Sequence, residues 1–203
     1  METAIPYRPP VIAGARIRLR PYREDDLPAF FAVHADPEVM RYGSHPPWTR
    51  IEQAYPKFHS SLHDNAPDRQ LCWVIAAADD RLIGGVALFR INAAQRLAEF
   101  GYALERASWG QGFAREAAAL ALGHAFDGLD LRRIEADIDP RNLASCRLAE
   151  RLGFVREGLL RERWQVNGEI SDTALYGLLA RDWNAAGPRH RRRSGVSRDE
   201  AFP

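Results

Sequence analysis

The chain has 203 residues and only two cysteines, Cys72 and Cys146, far apart and without CxxC spacing. That scarcity excludes a disulfide framework or a cysteine-built zinc site and fits a reducing, cytoplasmic setting. Net charge is nearly absent too, with Lys+Arg 28 against Asp+Glu 27. Bulk electrostatics therefore give no reason for a nucleic-acid or membrane-surface partner. No run of about 18 apolar residues occurs, so no membrane-spanning helix is expected. The opening METAIPYRPP lacks a basic segment followed by an apolar core, so no secretory signal is expected. Internal repeats are missing. The six histidines show no convergent ligand spacing, and His59 and His63, one turn apart, have no third partner. No metal is expected.

What is present is ordinary for one globular domain: 46% hydrophobic and 27% charged residues, enough to bury a sizeable core. Residues 1–14 carry three of the prolines and read as a flexible lead-in. Ile17 and Leu19 alternate with arginines, a short strand. REDDLPAFFAVHADPEV reads as a helix with an acidic start, broken at Asp36 and Pro37. After the loop GSHPPW, Thr49 and Glu52 have capping-box spacing for a second helix, in which Pro56 predicts a kink. Two apolar runs joined at Asp79 and Asp80 predict a hairpin. LAEFGYAL, 97–104, is a further strand, and 111–127 an alanine-rich helix. The alternation in LRRIEADI gives another strand; 142–152 is a helix stopped by Gly153. Asn167 and Gly168 join two closing strands. From about 185 the chain is polar and basic, including RHRRR at 189–193, and a disordered tail is expected. The order predicts a mixed α/β (α+β) domain over 15–184, its largely antiparallel sheet covered by helices.

The segment SWGQGFAREA, 108–117, carries the chemistry. A P-loop needs Lys and Ser/Thr after its last glycine, and Phe113 and Ala114 stand there instead. A dinucleotide fingerprint needs a third glycine where Arg115 stands. Two readings survive on spacing alone. One is a turn whose glycines serve only the backbone. The other is a helix start whose bare N–H groups and dipole hold a pyrophosphate without metal or lysine.

Trp109-Gly110-Gln111-Gly112-Phe113-Ala114 resembles motif A of the GNAT superfamily of acyl-CoA-dependent N-acetyltransferases. The leading tryptophan and the following Arg115-Glu116-Ala117 are similar to the RimJ/RimL branch, which acetylates N-termini of ribosomal proteins. Asn142 with Ser145, then Leu152-Gly153-Phe154 with Glu157-Gly158, and Asn167-Gly168 with Asp172 and Tyr176 continue that resemblance over about residues 15–184. It implies a GNAT fold with splayed central strands, acetyl-CoA as cosubstrate and an amine acceptor, by direct attack. By branch the acceptor is a protein N-terminus; the alternatives are a small amine or a sensor without turnover. It implies no metal, no membrane and no specific nucleic acid, and a monomer or homodimer.

The resemblance also assigns residues. The pyrophosphate goes to the amides of Gln111, Gly112, Phe113 and Ala114. The pantetheine arm pairs with 100–104, where Ala103 or Leu104 offers an N–H to the thioester oxygen. Glu99 is either a paired structural carboxylate or the general base. Asn142 caps its helix and also contacts pantetheine, and Ser145 assists the leaving sulfur. Tyr176 is a second acid or a core residue. Apart from the resemblance, Trp48 is expected in the acceptor groove because it follows a proline-rich loop, and Trp164 is a further candidate there. One departure stands out: some branch members carry a base glutamate within 161–164, and the best alignment here gives Trp164. Glu99, Glu162 or a water relay would then substitute.

Overall fold

The computed structural model describes residues 7–185. The chain forms β1 (Ile12–Ala13), β2 (Arg18–Arg20), α1 (Leu27–Ala35), α2 (Pro37–Met40), α3 (Tyr55–His63), β3 (Leu71–Ala76), β4 (Leu82–Asn92) and β5 (Leu97–Leu104). It continues with α4 (Phe113–Gly123), β6 (Arg133–Ile138), α5 (Leu143–Arg151), β7 (Val155–Val166), β8 (Glu169–Leu179) and α6 (Ala180–Ala185). The eight strands make one sheet in the order β1-β2-β3-β4-β5-β6-β8-β7. Every pairing is antiparallel except β5 with β6.

Helices cover both faces, and β3 shows why. All six of its residues are buried. Trp73 and Ile75 join a core that includes Ala117, Ala118 and Ala121 of α4. Cys72, Val74 and Ala76 join a second core with Phe30 and Val33 of α1 and Phe58 of α3. Side chains alternate between faces at period two, so a fully apolar strand is sandwiched rather than half-wet. The alanine stripe of α4 lets its backbone lie close to the sheet.

Several expectations need correction. Ile12 and Ala13 pair with Leu19 and Arg18, and the Trp73 indole donates to the Pro10 carbonyl at 2.9 Å, so order begins inside the expected lead-in. The expected capping box uses the wrong residue. Gln53, not Glu52, accepts from the Thr49 and Arg50 amides at 2.7 and 3.0 Å. A single 3-10 turn, Ile51–Ala54, precedes α3. Pro56 thereby falls in the first turn of α3, where its missing N–H costs nothing and no kink follows. The alanine-rich helix starts two residues later than expected, at Phe113, and passes at Gly123 into a wider π turn, His124–Gly128. The basic tail 189–193 lies outside the described residues.

Asp80 sits at φ 69 in the β3–β4 turn and collects Arg18, Arg20 and Arg23 at 2.6, 2.8 and 2.7 Å. These guanidinium hydrogen bonds, Arg18's foremost, hold its carboxyl well below the usual range. Arg20 and Asp26 are both buried and form a forked pair at 2.7 and 2.8 Å. The cluster fixes the entry to α1 against the sheet. At the other end, Asn167 (φ 51) and Gly168 (φ 83) form the tight β7–β8 turn.

Candidate active site

The site begins where the sheet comes apart. β5 and β6 pair only at Leu97 with Arg133, Ala98 with Ile134 and Glu99 with Glu135. Beyond Glu99 the two strands diverge, and β6 continues along β8 to Ile138. A small cavity of about 130 Å³ fills the notch, lined by Phe100, Tyr102, Ala136, Asp139, Asn142 and Ser145. It joins a cleft of about 1490 Å³ that runs from the head of α4 past β5 to the β7–β8 hairpin.

Strand register decides which β5 amides face the notch. The Glu105 N–H donates to the Ile83 carbonyl at 2.8 Å, so Glu105 points its backbone groups at β4. Groups alternate sides in an antiparallel pair. Ala103 and Gly101 therefore also point at β4, and Leu104, Tyr102 and Phe100 point into the notch. Leu104 confirms this: its carbonyl accepts the Trp109 indole N–H at 2.8 Å. Of the two expected donors, Ala103 is turned the wrong way and Leu104 is available. Tyr102 supplies a second amide on the same edge.

At the head of α4, Gly112 adopts φ +81 as the residue before the helix, with no side-chain cap. The first intrahelical bond runs from the Glu116 N–H to the Gly112 carbonyl at 3.1 Å. The amides of Phe113, Ala114 and Arg115 thus precede the helical ladder. Gly110, at φ +73, has nothing within 4 Å of where a Cβ would sit. Arg16 braces the turn. Its Nη1 donates to the Gln111 carbonyl at 2.7 Å, and its guanidinium lies over the Phe113 ring. Glu116 holds Arg16 through its backbone N–H and Nε, at 2.8 and 3.0 Å. The Gln111 side chain turns back to the Ala107 carbonyl at 2.9 Å.

Asn142 is the N-cap of α5, its Oδ1 accepting the Ser145 amide at 3.1 Å. Ser145 Oγ lies 3.0 Å from the Tyr102 hydroxyl. Burial raises the Tyr102 phenol pKa, and the Ser145 hydrogen bond opposes part of that rise. The phenol is protonated at neutral pH and is a proton donor in waiting. Sequence reasoning missed Tyr102. Tyr176, the expected second acid, is 3% exposed in the core, and its hydroxyl lies 3.4 Å from Glu150 beneath α5. The burial that pushes its pKa up also removes it from the cleft wall.

On the acceptor side, Glu99 Oε1 accepts Arg90 Nη1 at 2.8 Å, and both residues line the cleft. Arg90 sits at φ 50 where the β4–β5 register slips. Trp164 lines the same cleft and donates its indole N–H to both Asp137 oxygens at 3.0 and 3.1 Å. Thr173 Oγ1 donates to Asp137 Oδ1 as well. Asp137 was not foreseen; only the fold aims a β6 carboxylate at a β7 indole. Glu162 lies at φ 52, its amide bonded to Asp172. Trp48 does not reach the acceptor side. It is 9% exposed, stacks on His45 at 4.6 Å and meets the tilted His34 ring at 4.6 Å beside the second core. Among the described residues no group of three or more His, Cys, Asp and Glu is placed to hold a metal, and no helix is long and apolar enough to cross a membrane.

Residues 16–155 match the family model described as an acetyltransferase (GNAT) domain. An uncharacterized N-acetyltransferase, p20, of Bacillus licheniformis is 33% identical over 83% of this chain and 95% of its own. A spermidine N(1)-acetyltransferase of Vibrio cholerae is 31% identical over 82% of this chain and 94% of its own. A crystal structure of spermidine N-acetyltransferase from Vibrio cholerae, in complex with CoA and spermine, superposes with a TM-score of 0.74 at 29% identity, over 84% and 99% of the two chains. The bare helix start, the parted strands and these likenesses agree: the chain belongs to the GNAT family and is an N-acetyltransferase that moves an acetyl group from acetyl-CoA to an amine.

Proposed function

We propose that the acceptor is a small-molecule primary amine, reached across the notch between β5 and β6. The observation that carries the reading is the placement of Tyr102 and Ser145 at the point where those strands part, facing the same opening as the Leu104 amide. Relatives named spermidine N(1)-acetyltransferases match over 75–82% of this chain, which favours a small amine, while a Bacillus subtilis relative named a putative ribosomal N-acetyltransferase matches over 52%.

In this reading the amides at the head of α4 hold the diphosphate through main chain and dipole, with Gly112 keeping the approach open. The pantetheine arm lies along the free edge of β5. Leu104 or Tyr102 donates its N–H to the thioester oxygen, a preorganised contact worth roughly 10²–10³ in rate. The neutral amine attacks the carbonyl carbon and the C–N bond forms. Its surplus proton leaves through water to Glu99, which lines the cleft and accepts Arg90 at Oε1. As the C–S bond breaks, the thiolate takes the Tyr102 phenolic proton, and Ser145 relays a replacement. Asn142 fixes Ser145 by capping α5.

The test is thiol release from acetyl-CoA across small amines and peptide N-termini, with products identified by mass. Acetylated small amines and unmodified peptides support the reading. Turnover on peptide termini with none on small amines overturns it.

A further inference from the structure

The charges along the acceptor half of the cleft are mostly neutralised in pairs. Arg90 is paired with Glu99, and Arg141 with both Asp139 and Glu169. Arg41, Arg115, Arg147 and Arg151 also line the cleft outside any ion pair among the described residues, Arg41 over the Tyr42 ring and the other three on α4 and α5; Lys57 of α3 is the cation set among the polar groups of the acceptor half. Its side chain reaches solvent and lines the cleft, desolvation of the ammonium lowers its pKa from the ordinary lysine value, and among the described residues no carboxylate forms an ion pair with it. Its electrostatic neighbours are the Cys72 thiol and the rings of His34 and His45, and neither histidine carries charge at neutral pH because burial lowers both. Ser60, Ser61 and Gln70 complete its surroundings with polar, uncharged groups.

Asp137 is the counterpart. Neutral donors, Trp164 and Thr173, hold it in place; Arg90, already paired with Glu99, interacts with its charge from beyond ion-pair distance, and no cation lies at ion-pair distance among the described residues. Glu38 of α2 also lines the cleft without a basic partner, but no strand places it beside the notch. Asp137 borders the notch itself. The sheet gives the scale of the separation between the strands that flank the two charges. Cys72 pairs with Ala87, and Ala87 with Gly101 at the notch. Two strand spacings put Lys57's neighbour about 10 Å from the reacting edge.

We propose that the acceptor is an amine that also carries a carboxylate, its ammonium docking at Asp137 and its carboxylate received by Lys57. This deepens the reading of the protein as a small-amine acetyltransferase and rests on it. An unpaired anion beside the notch attracts the cationic form of the amine, which passes one proton to solvent water before the neutral amine attacks as above; an unpaired cation a short chain-length away receives an anion. A dication such as a polyamine satisfies Asp137 and meets repulsion at Lys57. The spacing selects a flexible chain between the two groups rather than an α-amino acid.

The experiment uses the full chain, acetyl-CoA, and a series of ω-amino carboxylates of increasing length, each beside its neutral carboxamide and the diamine of matched length. Thiol release is measured for the wild type, Lys57→Met and Arg41→Gln. The expected result is a carboxylate preference of roughly tenfold in kcat/KM over the carboxamide, peaking at one chain length. Lys57→Met removes the preference, with folding checked by its melting curve; Arg41→Gln retains it. Equal use of carboxylates and carboxamides, preference for diamines, or a preference that survives Lys57→Met overturns the proposal. Absence of thiol release with every amine is a separate outcome, and it overturns the small-amine reading together with this inference.

Discussion

The Tyr102 hydroxyl and Ser145 Oγ lie 3.0 Å apart, joining the free half of β5 to the first turn of α5. The pair bridges the two walls of the notch. If Tyr102 gives the proton and Ser145 replaces it, the two act as one unit. Tyr102→Phe is expected to lower kcat by roughly 10²-fold with little change in the KM for acetyl-CoA. Ser145→Ala should cost less, and the double variant should fall no further than Tyr102→Phe alone, since residues acting together are not additive. Steady-state thiol release on the four proteins measures this. Effects that multiply independently would separate the two roles.

Gly112 has its own prediction. At φ +81 an L-residue pays roughly 1–2 kcal/mol of backbone strain, and a Cβ there would sit 3.2 Å from Arg16 Nη2. Gly112→Ala should therefore melt earlier and bind coenzyme A more weakly, because the side chain also stands where phosphates approach. Calorimetric titration together with a melting curve separates the two effects. Unaltered affinity in a destabilised variant would show that the glycine serves only the turn.

The strand and helix order was readable because β3 and β4 are largely apolar runs joined by turn residues, and the tight turn at Asn167 and Gly168 is encoded locally. The head of α4 was readable for the same reason: two glycines and a helix former adjoin in sequence. Tyr102 was not. In the sequence it is one apolar-flanked residue of a strand, and its partner lies 43 residues away. Nothing local says that β6 will leave β5 after Glu99 and expose that side chain. Trp48 failed for the converse reason. An aromatic after a proline-rich loop suggests a groove, but two uncharged histidines had already made a place for it inside. The cap at Thr49 was misread by one residue because Gln53 and Glu52 are both competent acceptors, and only the 3-10 turn decides between them.

Glu116 makes a prediction at a distance from the ligand. Its carboxylate holds the Arg16 backbone and guanidinium, and Arg16 in turn ties down the Gln111 carbonyl. Gly14 packs so closely on it that an added Cβ would lie 2.6 Å from Glu116 Oε1. Glu116→Ala should loosen the turn without removing any amide from it. Because Arg16 is half exposed, the stability loss is expected to be only about 1 kcal/mol. Coenzyme affinity should nonetheless fall, with kcat at saturating acetyl-CoA nearly intact. A fall in kcat with unchanged affinity would place Glu116 in the chemistry instead.

The last prediction concerns acid stability. His34 is 6% exposed, lies tilted between Phe30 and Trp48 and stacked on His45, and its Nδ1 has no hydrogen-bond partner among the described residues. Burial drives its pKa from 6.5 to about 3, and burial lowers His45 and His124 in the same sense. A depressed folded-state value means that the unfolded chain binds the proton first. The stability contributed by neutral His34 is complete above about pH 6.5 and drains away as pH falls through the window from 6.5 toward 3. Between pH 7.5 and 5.5 this one residue should cost about 1.4 kcal/mol, a value set by the unfolded chain. His34→Phe removes that proton site and leaves no polar atom stranded, so it should be close to neutral at pH 7.5 and should flatten the pH slope below 6.5. Urea unfolding at several pH values measures both. An equal slope in wild type and variant would mean that His34 is protonated in the folded state, and that the contact with Trp48 admits a charge.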